Sequence, residues 1–333
     1  MLLPCDVTRT HPSPATVQRT SANEARGLLL GFVGVACFSV SLPVTRVAVR
    51  EFGVLFPSFG RAVIAGMLAI VVVVSTRTPQ PARRLWPRLV IIALGVVVGF
   101  PAFTGLALQH APAGHGSVVI GLLPAATAGL SVWRTGDRPS QQYWMFAALG
   151  AGAIVWLTIA RGTRDIAIGD AYLLGAVASA AIGYTEGAIV SREIGGWQTI
   201  SWAVIGALPV TIVLAIIGLA PVGFNEPMTA WFSLGYLGIV SMYLGFFAWY
   251  AGLALGGIAR VSQIQLLQPL MSLVWATIFL HEHLDALIVV VALIVMFSVM
   301  GSRRSAVRAA EDHQSALRTT PSGETADDHG QAR

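Results

Sequence analysis

The apolar residues of this chain are gathered into blocks of about twenty, divided by short polar stretches. Twenty helical residues at about 1.5 Å each span a hydrocarbon core of about 30 Å. Inside lipid each backbone N–H and C=O must be satisfied within the protein, so such blocks become helices rather than open strands. The composition agrees: 55% of residues are hydrophobic and 11% charged, where a soluble domain carries about 25% charged residues. Spans are expected near 27–47, 54–74, 88–108, 113–133, 142–160, 168–190, 198–219, 230–252, 259–280 and 284–302. The expected fold is an all-α membrane protein with ten transmembrane helices. Residues 1–26 and 303–333 are polar and are expected to be disordered cytoplasmic tails.

All 21 basic residues are arginine, and they are distributed unevenly among the connecting segments. With both termini inside, the cytoplasmic segments near the helices hold twelve arginines, among them Arg77, Arg83, Arg84, Arg88, Arg192 and Arg260, and the external side holds four. The expected location is a bacterial inner membrane, and that bias is expected to place both termini in the cytoplasm. It also accounts for the net charge of +5 without nucleic acid, since the arginines lie in short loops. The N-terminal stretch lacks the apolar core and cleavage site of a signal peptide. Cys5 and Cys37 suggest neither a disulfide nor a metal site. No cofactor is expected.

Internal similarity carries more information. Leu29-Leu30-Gly31 recurs as Leu173-Leu174-Gly175, and Gly105-Leu106-Ala107-Leu108 as Gly252-Leu253-Ala254-Leu255. Pro124 is followed thirteen residues later by Asp137, and Pro269 thirteen residues later by Glu282. The matches keep one order and an offset of 144 to 147 residues. They define two five-helix units, 27–160 and 168–302. Five is odd, so the second unit enters the membrane from the opposite side, giving inverted repeats. Glycines four apart, Gly27/Gly31, Gly95/Gly99, Gly183/Gly187 and Gly252/Gly256, are expected to bring helix backbones together.

These features resemble the drug/metabolite transporter superfamily in its ten-helix EamA form. The resemblance rests on the repeated proline-to-acid helix (Leu123-Pro124 to Gly136-Asp137, Leu267-Gln268-Pro269 to His281-Glu282), on Arg61, and on Pro43 with Arg46. It implies an export carrier of small molecules with both termini cytoplasmic. Asp137 stands where a Glu is usual, His281 where a Gly is usual, and Phe38-Ser39 where a Trp-Gly pair is common.

Charges inside a bilayer cost at least about 2.5–3.5 kcal/mol each, so those that persist face a cavity or a partner. Glu186, between Gly183-Tyr184 and Gly187, is a candidate for substrate or proton handling or for an ion pair with an arginine such as Arg192. Arg61 is a candidate for the same pathway or for holding helices together. Gln265, Gln268 and Ser272 share one helix face beside Pro269, as a binding site or as interhelical hydrogen bonds. Tyr184 could hydrogen-bond beside Glu186. Tyr243, Trp249 and Tyr250 could wall a substrate site or face lipid. Pro43, Pro124 and Pro269 mark helix breaks or hinges. His281-Glu282-His283 lacks the second histidine of a zinc-protease motif, and His110 and His115 read as solvated loop residues. The expected function is a secondary transporter, with a protease-like intramembrane enzyme or a passive channel as alternatives. Its partners are then a small-molecule substrate and the bilayer, and the oligomeric state stays open.

Overall fold

The computed structural model describes residues 14–135, 141–161, 164–222, 224–256, 261–283 and 285–301. Asp137, Arg260 and most of both tails lie outside the described residues. Every described segment with regular structure is helical. Six helical stretches are long and apolar enough to cross a membrane: Asn23–Phe52, Leu55–Ser75, Arg83–His110, Ala167–Ile194, Gly196–Leu219 and Met228–Leu255. Shorter apolar helices cover Ala113–Thr127, Trp144–Leu157, Ile264–Leu280 and Ala286–Gly301.

Several of these stretches are interrupted. The first divides at Val40 into α1 (Pro14–Ser39) and α2 (Ser41–Phe52), with Pro43 in the first turn of α2. α3 (Leu55–Ser75) is continuous. The third comprises α4 (Trp86–Ile92), the wide-turned segment Ala93–Gly99 and α5 (Phe100–His110). The next is cut at Gly121–Leu122 into α6 (Ala113–Ile120) and α7 (Leu123–Thr135), where Pro124 is the second residue. α8 (Gln141–Arg161), α9 (Arg164–Ile194) and α10 (Gly196–Leu219) follow. Then come α11 (Met228–Gly235), a second wide segment Tyr236–Leu244, and α12 (Gly245–Gly256). A tight 3₁₀ stretch, Ser262–Leu267, leads into α13 (Gln268–Leu280), with Pro269 in its first turn, and α14 covers Ala286–Gly301. All three prolines occupy a first turn, where their missing N–H leaves no helical bond unmade.

The glycines explain how the bundle closes. A Cβ on Gly252 of α12 would lie 2.7 Å from the backbone N of Gly31 and 2.9 Å from the carbonyl of Gly27, both on α1. A Cβ on Gly95 would lie 2.5 Å from the carbonyl of Ser179 in α9, and one on Gly183 2.4 Å from Val96. So α1 meets α12, and α9 meets the wide segment Ala93–Gly99, at backbone-to-backbone distance. α3 packs along α10, where Gly218 lies against the backbone of Phe56. The outer faces carry Met67, Val71, Val74, Ile159, Ile216 and Phe232 exposed, as expected of a lipid-facing surface.

Candidate functional site

A cavity at the centre of the bundle draws on both halves of the chain. Phe38 of α1, Ser41 and Thr45 of α2, and Arg61 of α3 line it, with Val96 and Phe100 from the third stretch. Leu42 of α2, Thr104 of α5, Leu123, Tyr184 of α9, Ser241, Met242 and Phe246, and Gln268 of α13 complete the wall. Its empty volume is about 540 Å³, counting its open part. Phe38 and Phe246 pack with ring centroids 4.8 Å apart, and Tyr184 meets Phe246 edge-on at 5.9 Å. The wall therefore combines four aromatic rings, Phe38, Phe100, Tyr184 and Phe246, with aliphatic side chains and the polar groups of Ser41, Thr45, Arg61, Thr104, Ser241 and Gln268.

Both wide segments touch this cavity. In Ala93–Gly99 and Tyr236–Leu244 the backbone bonds to the fifth residue back, as from Phe100 N–H to Gly95 O and from Gly245 N–H to Val240 O. They begin 143 residues apart and end 145 apart, so the two halves repeat the deformation. Turns of this kind are rare and often mark functional sites.

Arg61 is 4% exposed. One of its terminal nitrogens donates to Ser241 Oγ at 3.0 Å, and Ser241 Oγ lies 2.7 Å from Ser41 Oγ. Ser41 Oγ donates to the Cys37 carbonyl at 3.3 Å, so one chain of donors runs from Arg61 through both serines to the end of α1. Nε of Arg61 is buried without an acceptor. A smaller cavity adjoins, lined by Ser117, Gly121, Pro124, Gln265, Gln268, Pro269 and Ser272. Gln268 and Leu42 belong to both walls. Ser272 Oγ donates to the Ser39 carbonyl at 2.7 Å, and Trp275 Nε1 to Ser39 Oγ at 3.0 Å.

A second polar cluster gathers at one end of the bundle. Glu282, just after α13, accepts from the backbone N–H groups of Ala113 and Gly114 at 3.0 and 2.8 Å, capping α6. Its Oε1 is 3.7 Å from Arg46 Nε. Arg46 also donates to the carbonyls of Leu108, at 3.2 Å, and Ala111. One carboxylate thus ties α2, α6 and the end of α13 together, with anionic charge at the positive end of α6. Replacing Glu282 with Ala is expected to lower stability by about 1–2 kcal/mol, the usual cost of losing an N-cap. Thermal unfolding in detergent measures it, and an unchanged midpoint would show that the tie carries no energy. His281, where the related pattern has Gly, adopts φ 51°, a left-handed conformation in which a side chain is strained and glycine is not.

The sequence pattern of the EamA-like transporter family matches residues 25–159 and again 167–304. The chain belongs to this family. An uncharacterized transporter, YdeK, of Bacillus subtilis (strain 168) is 43% identical over 280 residues, 84% of this chain and 98% of its own length. Another, sll0355 of Synechocystis, is 24% identical over 68% of this chain and 74% of its own. A crystal structure of 17% identity superposes with a TM-score of 0.57, covering 86% of this chain and 99% of the other, which shows a shared fold. As an EamA-like transporter the chain is a multi-pass membrane protein that carries a small molecule, and not an enzyme.

Within this transporter, Arg61, Tyr184 and Gln268 line the central cavity, and Gln265 lines its smaller neighbour. Glu186 is brought elsewhere: it is 1% exposed and lies 3.8 Å from Arg88 at the start of the third stretch. Tyr243, Trp249 and Tyr250 do not face lipid, being 2%, 1% and 0% exposed. Tyr243 OH pairs with Ser201 Oγ at 2.9 Å, and Trp249 packs against Phe38. His115 is not a solvated loop residue. It belongs to α6, is 1% exposed, and its Nε2 lies 2.7 Å from Asp170 of α9. His110 stacks on Tyr172 at 6.1 Å. α6 begins immediately after Pro112, as the expected span 113–133 does, so His115 lies inside a span and is buried against Asp170 of α9. Ser41, Ser241, Phe38, Phe100 and Phe246 were not singled out as cavity residues. The departure at Phe38-Ser39 was the available signal for one of them.

Proposed function

We propose that this transporter is a secondary exporter of a small organic metabolite, working by alternating access between two inverted five-helix halves. The observation that carries this reading is the central cavity. It draws its lining from both halves and meets both deformed segments, Ala93–Gly99 and Tyr236–Leu244. Segments without regular helical bonding, buried in protein beside a cavity, are what a carrier uses to change shape around a substrate. The swapped close contacts, α1 with α12 and α9 with Ala93–Gly99, support a pseudo-two-fold axis in the membrane plane. The arginine distribution supports cytoplasmic termini, and the bacterial relatives support a bacterial inner membrane.

Glu186 is the acid we assign to proton coupling. Its carboxylate is buried and lies beside Arg88.

The test is an untargeted comparison of secreted and retained metabolites in cells with and without the protein, followed by counterflow of the changed solute in proteoliposomes. The expected result is a solute retained when the protein is absent, whose uptake saturates and is accelerated by the same solute on the opposite side. Flux that neither saturates nor responds to solute across the membrane would make the protein a channel.

A further inference from the structure

The charges of the bundle do not balance at its centre. Glu186 lies beside Arg88, Glu193 beside Arg84, Glu282 beside Arg46 and Asp170 beside His115. Arg61 has no carboxylate within ion-pair distance among the described residues, although it is the only charged side chain lining the central cavity. Ser241 takes one of its five N–H donors, and Nε stays buried without an acceptor. A guanidinium in such a place persists when an opposite charge reaches it during function.

We infer that Arg61 is the substrate-recognition residue of the cavity and that the substrate is an organic monocarboxylate with a compact apolar body. This deepens the carrier reading and rests on it. A planar carboxylate matches the fork of a guanidinium and can take two of its N–H groups at once. The rings of Phe38, Phe100 and Phe246 then cover the apolar body, and the hydroxyl of Tyr184 and the amide of Gln268 lie in the same wall. Gln268 Oε1 is itself buried without a donor, so a hydroxyl or amide N–H elsewhere on the substrate has a place to bind. The lining also argues against other classes. A dianionic phosphate would face one cation rather than two. An amino acid would bring an ammonium group to a wall that has no carboxylate among the described residues, and a cationic drug would meet Arg61 with like charge.

The test uses the full chain, purified in detergent, with three sets of ligands: phenylacetate, 3-phenylpropionate and 4-methylpentanoate, each beside its amide and its amine. Thermal stabilisation gives the binding curves for wild type, Arg61→Gln and Arg61→Lys, each first checked for a single monodisperse peak. At least one acid is expected to bind saturably, with its amide and amine at least about tenfold weaker. Arg61→Gln is expected to lose that preference and Arg61→Lys to keep part of it, a lysine being a point charge without the fork. Amides or amines that bind as well as the acids, a Gln variant that keeps acid affinity, or a panel in which no acid binds would each overturn the inference. Counterflow separates this from the carrier reading. Wild type that exchanges a neutral solute, with Arg61→Gln unaffected, leaves the carrier and removes the carboxylate. Acid binding without flux of any solute does the reverse.

Discussion

Replacing Gly252 with Leu is expected to abolish the folded transporter, whereas the same change at Gly152 is expected to leave it intact. In an exposed helix interior, Gly to Ala gains about 1 kcal/mol of helix propensity, so the sign of a glycine substitution is decided by what the new side chain meets. At Gly152 of α8 a Cβ meets nothing within 4 Å, and its extension enters lipid. At Gly252 the nearest atoms are the Gly31 nitrogen and the Gly27 carbonyl oxygen. Backbone atoms cannot rotate aside, so α1 and α12 would have to separate along their length. Overpacking of a well-packed core costs about 1–3 kcal/mol and more where backbones must shift, a large share of a total stability of about 5–15 kcal/mol. Gly95→Leu, facing the Ser179 carbonyl at 2.5 Å, is expected to behave as Gly252→Leu does. The measurement is the monodisperse fraction by size-exclusion chromatography and the unfolding midpoint. A monodisperse Gly252→Leu protein with wild-type stability would mean that these helices do not depend on close approach.

The glycine contacts were legible because a pair four residues apart puts two small side chains on one helix face whatever surrounds them. Which face an aromatic side chain occupies was not. The helix carrying Tyr243, Trp249 and Tyr250 is apolar around its whole circumference, so periodicity cannot separate a buried from a lipid-facing ring. Only packing against Phe38, Tyr184 and Ser201 decides it. Arg61 and Glu186 stood out as charges within apolar blocks, but their partners come from elsewhere in the chain: Ser241 is 180 residues from Arg61, and Arg88, not Arg192, meets Glu186. The wide turns at Ala93–Gly99 and Tyr236–Leu244 have no compositional mark, being written in the same residues as an ordinary apolar helix. Their recurrence at nearly one offset becomes visible only once the backbone bonds are known. The acid at position 282 was read as half of a repeated pattern, and the structure gives that half a physical task in capping α6. Its counterpart Asp137 lies outside the described residues.

Glu186→Gln is expected to abolish transport driven by a pH gradient while leaving the protein folded, inserted and able to exchange substrate. Glutamine keeps the size of the side chain and much of its hydrogen-bonding capacity but neither ionises nor carries a proton. The fold should tolerate it, because Arg88 keeps 39% of its side chain exposed and can be solvated once its carboxylate is gone. Counterflow at equal pH on both sides needs no proton movement, so it should persist and thereby separate a coupling defect from a folding defect. Arg88→Gln supplies the contrast. If the pair is only a structural tie between α9 and the start of the third stretch, removing either partner should have the same consequence. If the carboxylate carries the proton, Arg88→Gln should keep gradient-driven transport, since the acid remains. Full gradient-driven transport by Glu186→Gln, or identical losses in the two variants, would leave Glu186 as the partner of Arg88 and place any coupling site elsewhere.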